Sequence, residues 1–336
     1  MDAIVLVGGQ GTRLRPLTAA RHKSLVPICN RPAIDYLFSW LRESGIERVV
    51  LALGLANEDL ADAYPAGVRD GLEFVTVLEK QRLESGGAIR YAVEQADIRD
   101  RFLVLNGDVY MEFDFRQALA AHEKAGALVT MALSPVDDPS QFGVAVLDAD
   151  NWISGFHEKP PLGHAPGNLV NAGAWIFERE AAGMIPGGAV RVEETLFPSL
   201  AERGRLFGYV FEGLWEDIGT SERYLSLNQL LAARSESNLG PGCVVAPTAM
   251  LIASSAGAGC AIGERVVIEG SILWEHVTIA DDVSVRNSIL ADGVTVAAEA
   301  TIDRAVVGHG ATIGAGVVLL PGTIIQPGSR VDGATT

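Results

Sequence analysis

Cysteine is scarce in this sequence. Cys29, Cys243 and Cys260 are the only three in 336 residues, scattered and odd in number. That excludes a disulfide framework and any cysteine-based metal spacing, and it suits a reducing compartment. Long apolar runs are also missing; none approaches the ~20 residues of a membrane helix. The first residues carry no basic segment, apolar core or cleavage site of a secretory leader, so a cytoplasmic protein is expected. Positive charge is in short supply too. Lys and Arg number 26 against 42 Asp and Glu, a formal net charge of −16. Neither a nucleic acid nor an anionic membrane is an expected partner for such a chain. No Ser/His/Asp or Cys/His set suggests a nucleophilic side chain.

The basic residues that do occur are concentrated. Between residues 3 and 34 there are five Arg or Lys and no Asp or Glu. They follow an apolar run, Ala3 to Val7, that reads as a buried parallel strand. The strand leads into Gly8, Gly9 and Gly11, then Thr12, Arg13, Arg15, Arg21 and Lys23. Glycines let main-chain amides turn towards phosphate oxygens, and the cations that follow can neutralise them. The spacing is neither Gly-x-x-x-x-Gly-Lys-Ser/Thr nor Gly-x-Gly-x-x-Gly, so the two commonest phosphate loops are set aside. A glycine turn on a solvated basic surface is the plain alternative.

Up to about residue 234, apolar strands alternate with amphipathic helices. Helices are expected over Ala33 to Glu43, Asn57 to Tyr64, Ile89 to Gln95, Val192 to Pro198 and Glu222 to Arg234. Strands are expected over Arg48 to Leu53, Phe74 to Val77 and Phe102 to Leu105. Such alternation builds a mostly parallel, Rossmann-like α/β sheet with ligands at the strands' carboxyl ends. Asn106-Gly107-Asp108 stands at one such end, where a carboxylate can hold Mg²⁺ against substrate phosphates; a plain turn is the alternative. Leu128 to Leu133, a hairpin from Phe142 to Phe156, and Asn168 to Glu178 add further strands. Glu158-Lys159-Pro160 and Asn171-Ala172-Gly173 follow; a surface ion pair before a proline is the plain reading of the first.

In order, Gly-x-Gly-Thr-Arg with Lys23, Asn-Gly-Asp, Phe-Gly-Val, Glu-Lys-Pro, Asn-Ala-Gly and Trp-Glu-Asp-Ile-Gly-Thr resemble the motifs of sugar-1-phosphate nucleotidylyltransferases. The resemblance is nearest to mannose-1-phosphate guanylyltransferases, with uridylyl-, thymidylyl- and adenylyltransferases close behind. It implies an enzyme that joins a nucleoside triphosphate, GTP first, to a sugar-1-phosphate and releases pyrophosphate. It assigns the triphosphate and base to Leu6, Gly8, Gly9, Gly11, Thr12, Arg13, Gln81, Gly86 and Gly87. The sugar phosphate goes to Gly143, Glu158, Lys159 and Asn171. Catalysis falls to Arg13, Lys23, Asp108 and Asp217, with both aspartates holding Mg²⁺. Three departures stand out. His22 and Ser24 replace the prolines that flank the family lysine, and Glu84 replaces the first glycine of Leu-Gly-Thr-Ala-Gly. They leave open an unusual acceptor, such as a cyclitol phosphate, or a regulatory subunit without turnover.

From about Leu239 the composition shifts to Gly, Ala, Val and Ile with a period of 17. One series is Val245, Ile262, Ile279, Val296 and Ile313. A second is Leu251, Ile268, Val285, Ile302 and Leu319. A third is Ile272, Ile289 and Val306. The pattern resembles the left-handed parallel β-helix of hexapeptide-repeat proteins. Domains at 1–234 and 239–333 are expected, with the second serving a homo-oligomer. A hexapeptide-type acyltransferase using His276 or His309 as base is a further reading; a surface corner is the plain role for each.

Overall fold

The computed structural model describes residues 1–9, 11–55, 57–235 and 238–333; Gln10, inside the glycine loop, lies outside them. The chain forms two compact units. One comprises residues 1–9 and 34–215, the other residues 11–33 and 216–333.

The first unit is built on a ten-stranded mixed sheet. Its strands are β1 (Asp2–Val7), β2 (Arg48–Leu53), β3 (Gly67–Arg69), β4 (Leu72–Leu78), β5 (Phe102–Asn106), β6 (Val129–Pro135), β7 (Gly143–Leu147), β8 (Ile153–Glu158), β9 (Leu169–Phe177) and β10 (Leu206–Val210). The order is β8-β7-β9-β5-β1-β2-β4-β3, with β6 on β9 and β10 on β6. The centre, β5-β1-β2-β4, is parallel. The antiparallel β9 joins it to the β7–β8 hairpin. Ile4, Val50, Val104, Trp175, Phe177 and Phe197 share one buried core, with Phe102 stacked on Phe177 and Trp175 edge-on to Phe197. Aromatic pairs of this kind add about 0.5–1.5 kcal/mol each beyond their buried area.

The helix after residue 32 runs Ala33–Glu43, as its apolar spacing predicts. Two others are displaced. The helix at 84–95 begins at Glu84, so Gly86 and Gly87 lie in its first turn rather than ahead of it. The one near 196 spans Leu196–Glu202, not Val192 to Pro198. Residues 190–194 instead make loop contacts with the first turn of the 84–95 helix.

In the second unit, three parallel sheets stack into a β-helix. Val245, Ile262, Ile279, Val296 and Ile313 pair in one sheet, and Leu251, Ile268, Val285, Ile302 and Leu319 in another. Ile272, Ile289 and Val306 also pair. On that face, however, the axial core takes the next residues, Leu273, Leu290 and Val307. Strand alternation sends neighbouring side chains to opposite faces, so a one-residue offset decides which series points inwards. The final coil is one residue longer: Val306 pairs with Ile324 and Thr312 with Arg330.

Three buried serines stitch the coils. The Ser254 hydroxyl accepts the Ser271 N–H (2.9 Å), the Ser271 hydroxyl accepts the Ser288 N–H (3.1 Å), and the Ser288 hydroxyl accepts the Ala305 N–H (3.0 Å). The helix Ser221–Arg234 belongs to this unit. Its buried side includes Tyr224, Leu227, Asn228 and Ala232, whereas Leu230 is exposed. Asn228 is buried because it is satisfied: its oxygen accepts the Cys29 N–H (2.9 Å) and its amide donates to the Tyr224 carbonyl.

Ser271→Ala removes an acceptor from a buried main-chain N–H. We expect a loss of about 1–3 kcal/mol in chemical denaturation, with the β-helix retained by circular dichroism.

Candidate active site

In the first unit, the strand ends make a platform. Val7 pairs with Leu53 and Leu6 with Asn106, so β1, β2 and β5 finish side by side. The loops beyond them touch main chain to main chain. A Cβ on Gly54 would lie 2.8 Å from the Gly8 Cα. Asn57 donates to the Val7 carbonyl, and the buried Glu79 carboxylate accepts the Leu83 N–H at 3.1 Å. Burial raises the Glu79 pKa, and the Leu83 bond partly offsets this. Gly8 and Gly9 are exposed on this platform, and Asp108 is half-buried two residues beyond β5.

Gly86 and Gly87 are committed to packing. Both amides donate to the Val190 carbonyl (2.9 and 3.2 Å), and a Cβ at Gly87 would collide with the Gly188 carbonyl. The chain's own 188–190 segment packs against the first turn of this helix. Gln81 is exposed in the preceding turn. Glu84, standing in place of a family glycine, adopts φ +58°, a left-handed conformation that glycine takes at no steric cost. It pairs with Arg82 at 2.8 Å and lies 4.0 Å from Arg191.

Gly143, Glu158, Lys159 and Asn171 come from neighbouring strands and the turn after β8. Gly143 is the cross-strand partner of Glu158, and a Cβ there would crowd its Oε2 at 2.9 Å. Lys159 lies 3.3 Å from Glu158 and holds φ +45° immediately before Pro160. A bulge in β9 shifts the register between Asn171 and Trp175 and re-aims the asparagine. The Asn171 oxygen accepts the Gly173 N–H (3.0 Å) and the Trp175 indole N–H (2.7 Å). These two donors fix the amide's orientation, so its NH₂ is the group suited to meet a ligand oxygen.

Sequence reasoning missed Glu193. Its carboxylate accepts the Ser85 hydroxyl at 2.5 Å, and that hydroxyl accepts the Val192 N–H at 3.0 Å. Burial pushes the Glu193 pKa up, the Ser85 bond opposes this, and the Glu158 charge adds to the rise. A motif search could not find it, because the serine and the glutamate lie 108 positions apart.

The cationic loop lies in the second unit. Gly11 is left-handed (φ 59°), its carbonyl accepts the Thr18 hydroxyl at 2.8 Å, and a Cβ there would lie 3.0 Å from the Lys23 Cβ. Leu14 and Leu17 are fully buried beneath the loop, while Thr12 and Arg13 are exposed. The His22 substitution has a local role. Its Nδ1 accepts the Ser24 N–H (3.2 Å) and caps the turn Lys23–Leu25. Asp217 Oδ1 accepts the Gly219 N–H at 2.6 Å and lies 3.7 Å from Arg223. The Arg13 guanidinium reaches the same glycine; a Cβ on Gly219 would stand 2.9 Å from Arg13 Nη2. Burial raises the Glu216 pKa beside it; Arg223 opposes this and Asp217 reinforces it. Asp108 and Asp217 are all-oxygen donors of the kind a hard dication takes. No group of three or more metal-ligating side chains occurs among the described residues. A dication held by one or two carboxylates and substrate phosphates does not need such a group.

The family model described as nucleotidyl transferase matches residues 2–234. The chain belongs to the nucleotidyl transferase family. A second model, the LbH domain of the EIF2B epsilon subunit, matches residues 221–325 of this nucleotidyl transferase. It is similar to the mannose-1-phosphate guanylyltransferase of Mycobacterium tuberculosis, at 34% identity over 76% of this chain and 74% of that one. The mannose-1-phosphate guanylyltransferase catalytic subunit beta of Danio rerio is also 34% identical, over 75% and 73%. The mannose-1-phosphate guanyltransferase of Saccharomyces cerevisiae is 33% identical, over 75% and 71%. A solved structure from Bacillus anthracis, described as a glucose-1-phosphate thymidylyltransferase, shares the fold. Its TM-score is 0.63 at 24% identity, covering 68% of this chain and 94% of that one.

The raised pKa of Glu193 gives a pH prediction. A carboxyl with a raised folded-state pKa costs stability once pH climbs above its unfolded value and the group must ionise. Glu193→Gln should therefore raise the thermal midpoint at about pH 8, with the gain vanishing at about pH 4. Scanning calorimetry at both pH values checks this.

Proposed function

We propose that this nucleotidyl transferase joins GTP to mannose-1-phosphate, with Mg²⁺, to give GDP-mannose and pyrophosphate. The observation that carries the reading is the ordered motif set in a chain one-third identical, over three-quarters of its length, to proteins named for that reaction. The sugar-phosphate oxygen attacks the α-phosphorus in line and pyrophosphate departs, so catalysis is positioning and charge neutralisation. Leu6, Gly8, Gly9, Gly11 and Thr12 present the triphosphate-binding main chain. Arg13 meets the triphosphate and balances charge on the leaving pyrophosphate, and Lys23 draws the phosphates of the two substrates together. Asp108 and Asp217 hold the dication, which supplies positive charge at the α-phosphate when bound.

Glu158 and the Asn171 NH₂ bond sugar hydroxyls, and Lys159 meets the sugar's phosphate. Gln81 is the base contact in this reading. Residues 1–234 carry the transfer, and residues 239–333 serve a cytoplasmic homo-oligomer. Exposed Val244, Met250 and Ile252 on the first coil of the β-helix support that second role.

Five nucleoside triphosphates assayed against several hexose and cyclitol 1-phosphates test the substrate pair. Pyrophosphate release should be greatest with GTP and mannose-1-phosphate, and a clear preference for another pair overturns the assignment. Asp108→Asn should lower turnover by orders of magnitude while the thermal midpoint stays near the parent value. Glu158→Gln and Asn171→Ala should each raise KM for the sugar phosphate by about tenfold and leave KM for the triphosphate unchanged.

A further inference from the structure

Within the second unit, one coil edge of the β-helix grips the cationic loop. His309 Nε2 lies 2.9 Å from the Leu17 carbonyl oxygen, and its Nδ1 lies 3.3 Å from Asp292 Oδ2. Asp292 Oδ2 also accepts an N–H from Arg21 at 3.0 Å. Its other oxygen accepts the Glu275 main-chain N–H at 3.1 Å. Arg21 lies over the buried Trp274 ring at 5.1 Å, and the His309 ring packs edge-on against the same indole at 5.3 Å. The Trp274 N–H donates to the Tyr224 hydroxyl, which donates to the Pro27 carbonyl. Leu17 and Pro27 are main-chain points on the stretch that carries Arg13 and Lys23.

The hydrogen-bond inventory determines the charge on His309. A carbonyl oxygen only accepts, and a carboxylate already paired with arginine only accepts. Both imidazole nitrogens therefore face acceptors, an arrangement satisfied only when both carry protons. Among the described residues, the charged groups facing the ring are Asp292 and Arg21. Asp292 raises the His309 pKa through its bond and its charge, while burial and Arg21 lower it; the net direction is upward.

We propose that His309, as an imidazolium, and Asp292 are positioning residues: they hold residues 11–25 in the shape that presents Arg13 and Lys23 to the triphosphate. Neither touches the reacting atoms. The consequence is an affinity for nucleotide that depends on a proton in the β-helix. The folded-state pKa is raised, so the bridge is intact below the ordinary histidine range and is lost as pH rises through the raised value. When it is lost, the loop samples other shapes, and apparent affinity falls by the fraction still competent. This role rests on the proposed function only for its kinetic readout.

The test uses the full chain, its His309→Gln and Asp292→Asn variants, and GTP with mannose-1-phosphate. At about pH 6, below the ordinary histidine value, KM for GTP should be about tenfold higher in each variant, with kcat changed much less. As pH rises from there through the raised value, the parent KM should climb towards the variant value while both variants stay flat. Parent-like KM and pH profiles in both variants overturn the proposal.

Trypsin cleavage needs no turnover. Cutting after Arg13 and Lys23, measured against cutting after Arg286 as an internal control, should accelerate in the variants and in the parent as pH rises. A ratio unaffected by substitution and by pH overturns the proposal. If no triphosphate and sugar phosphate release pyrophosphate, the functional reading falls and the cleavage ratio alone decides this one. If neither variant folds, the parent's cleavage ratio against pH decides it.

Discussion

Main chain pressed against main chain is the constraint from which the first unit follows. Strands β1, β2 and β5 end together, and Gly8 and Gly54 meet where a Cβ on Gly54 would reach the Gly8 Cα at 2.8 Å. Such contact brings polar backbone groups close, so they need partners. Asn57 and Glu79 supply side-chain bonds to Val7 and Leu83. The exposed Gly8 and Gly9 and the half-buried Asp108 all follow strands that end at the carboxyl edge of a parallel sheet, where α/β folds present ligands.

A different logic governs the cationic loop. It has little hydrophobic bulk of its own beyond Leu14 and Leu17, and it is short. Its shape is imposed from a distance in sequence: Asn228 holds Cys29, Tyr224 holds Pro27, and His309 holds Leu17. The β-helix suits this task because each coil is hydrogen-bonded to its neighbours, and an aliphatic axis leaves it little freedom. A loop braced on such a body loses less entropy when a ligand arrives.

The acidic balance of the chain is compatible with an anionic substrate because charge is sorted locally. Glu158 stands beside Lys159, Glu84 beside Arg82, and Asp292 beside Arg21 and His309. Glu79, Glu193 and Glu216 are exceptions: desolvation raises each pKa and a second carboxylate adds to the rise. Buried groups with perturbed pKa values concentrate at functional sites. Of the three, Glu193 feels the charges of Glu158 and Arg191.

Periodicity alone revealed the helix Ala33–Glu43, the central strands of the sheet and the 17-residue coil, because each is a local pattern of apolar side chains repeated at the spacing of its backbone. The order of the motifs likewise carried the family. What spacing could not reveal depended on residues meeting across the chain. Gly86 and Gly87 accommodate the 188–190 segment, a contact that only the fold creates. Leu273 rather than Ile272 faces the coil axis, since a one-residue offset reverses a strand's two sides. Glu193 reaches Ser85, and His309 reaches Leu17 across 292 positions. Sequence determined which elements form, through local hydrophobic order. Tertiary structure decided which polar groups share a site, because hydrogen bonds and charges act over a few ångströms and take no account of distance along the chain.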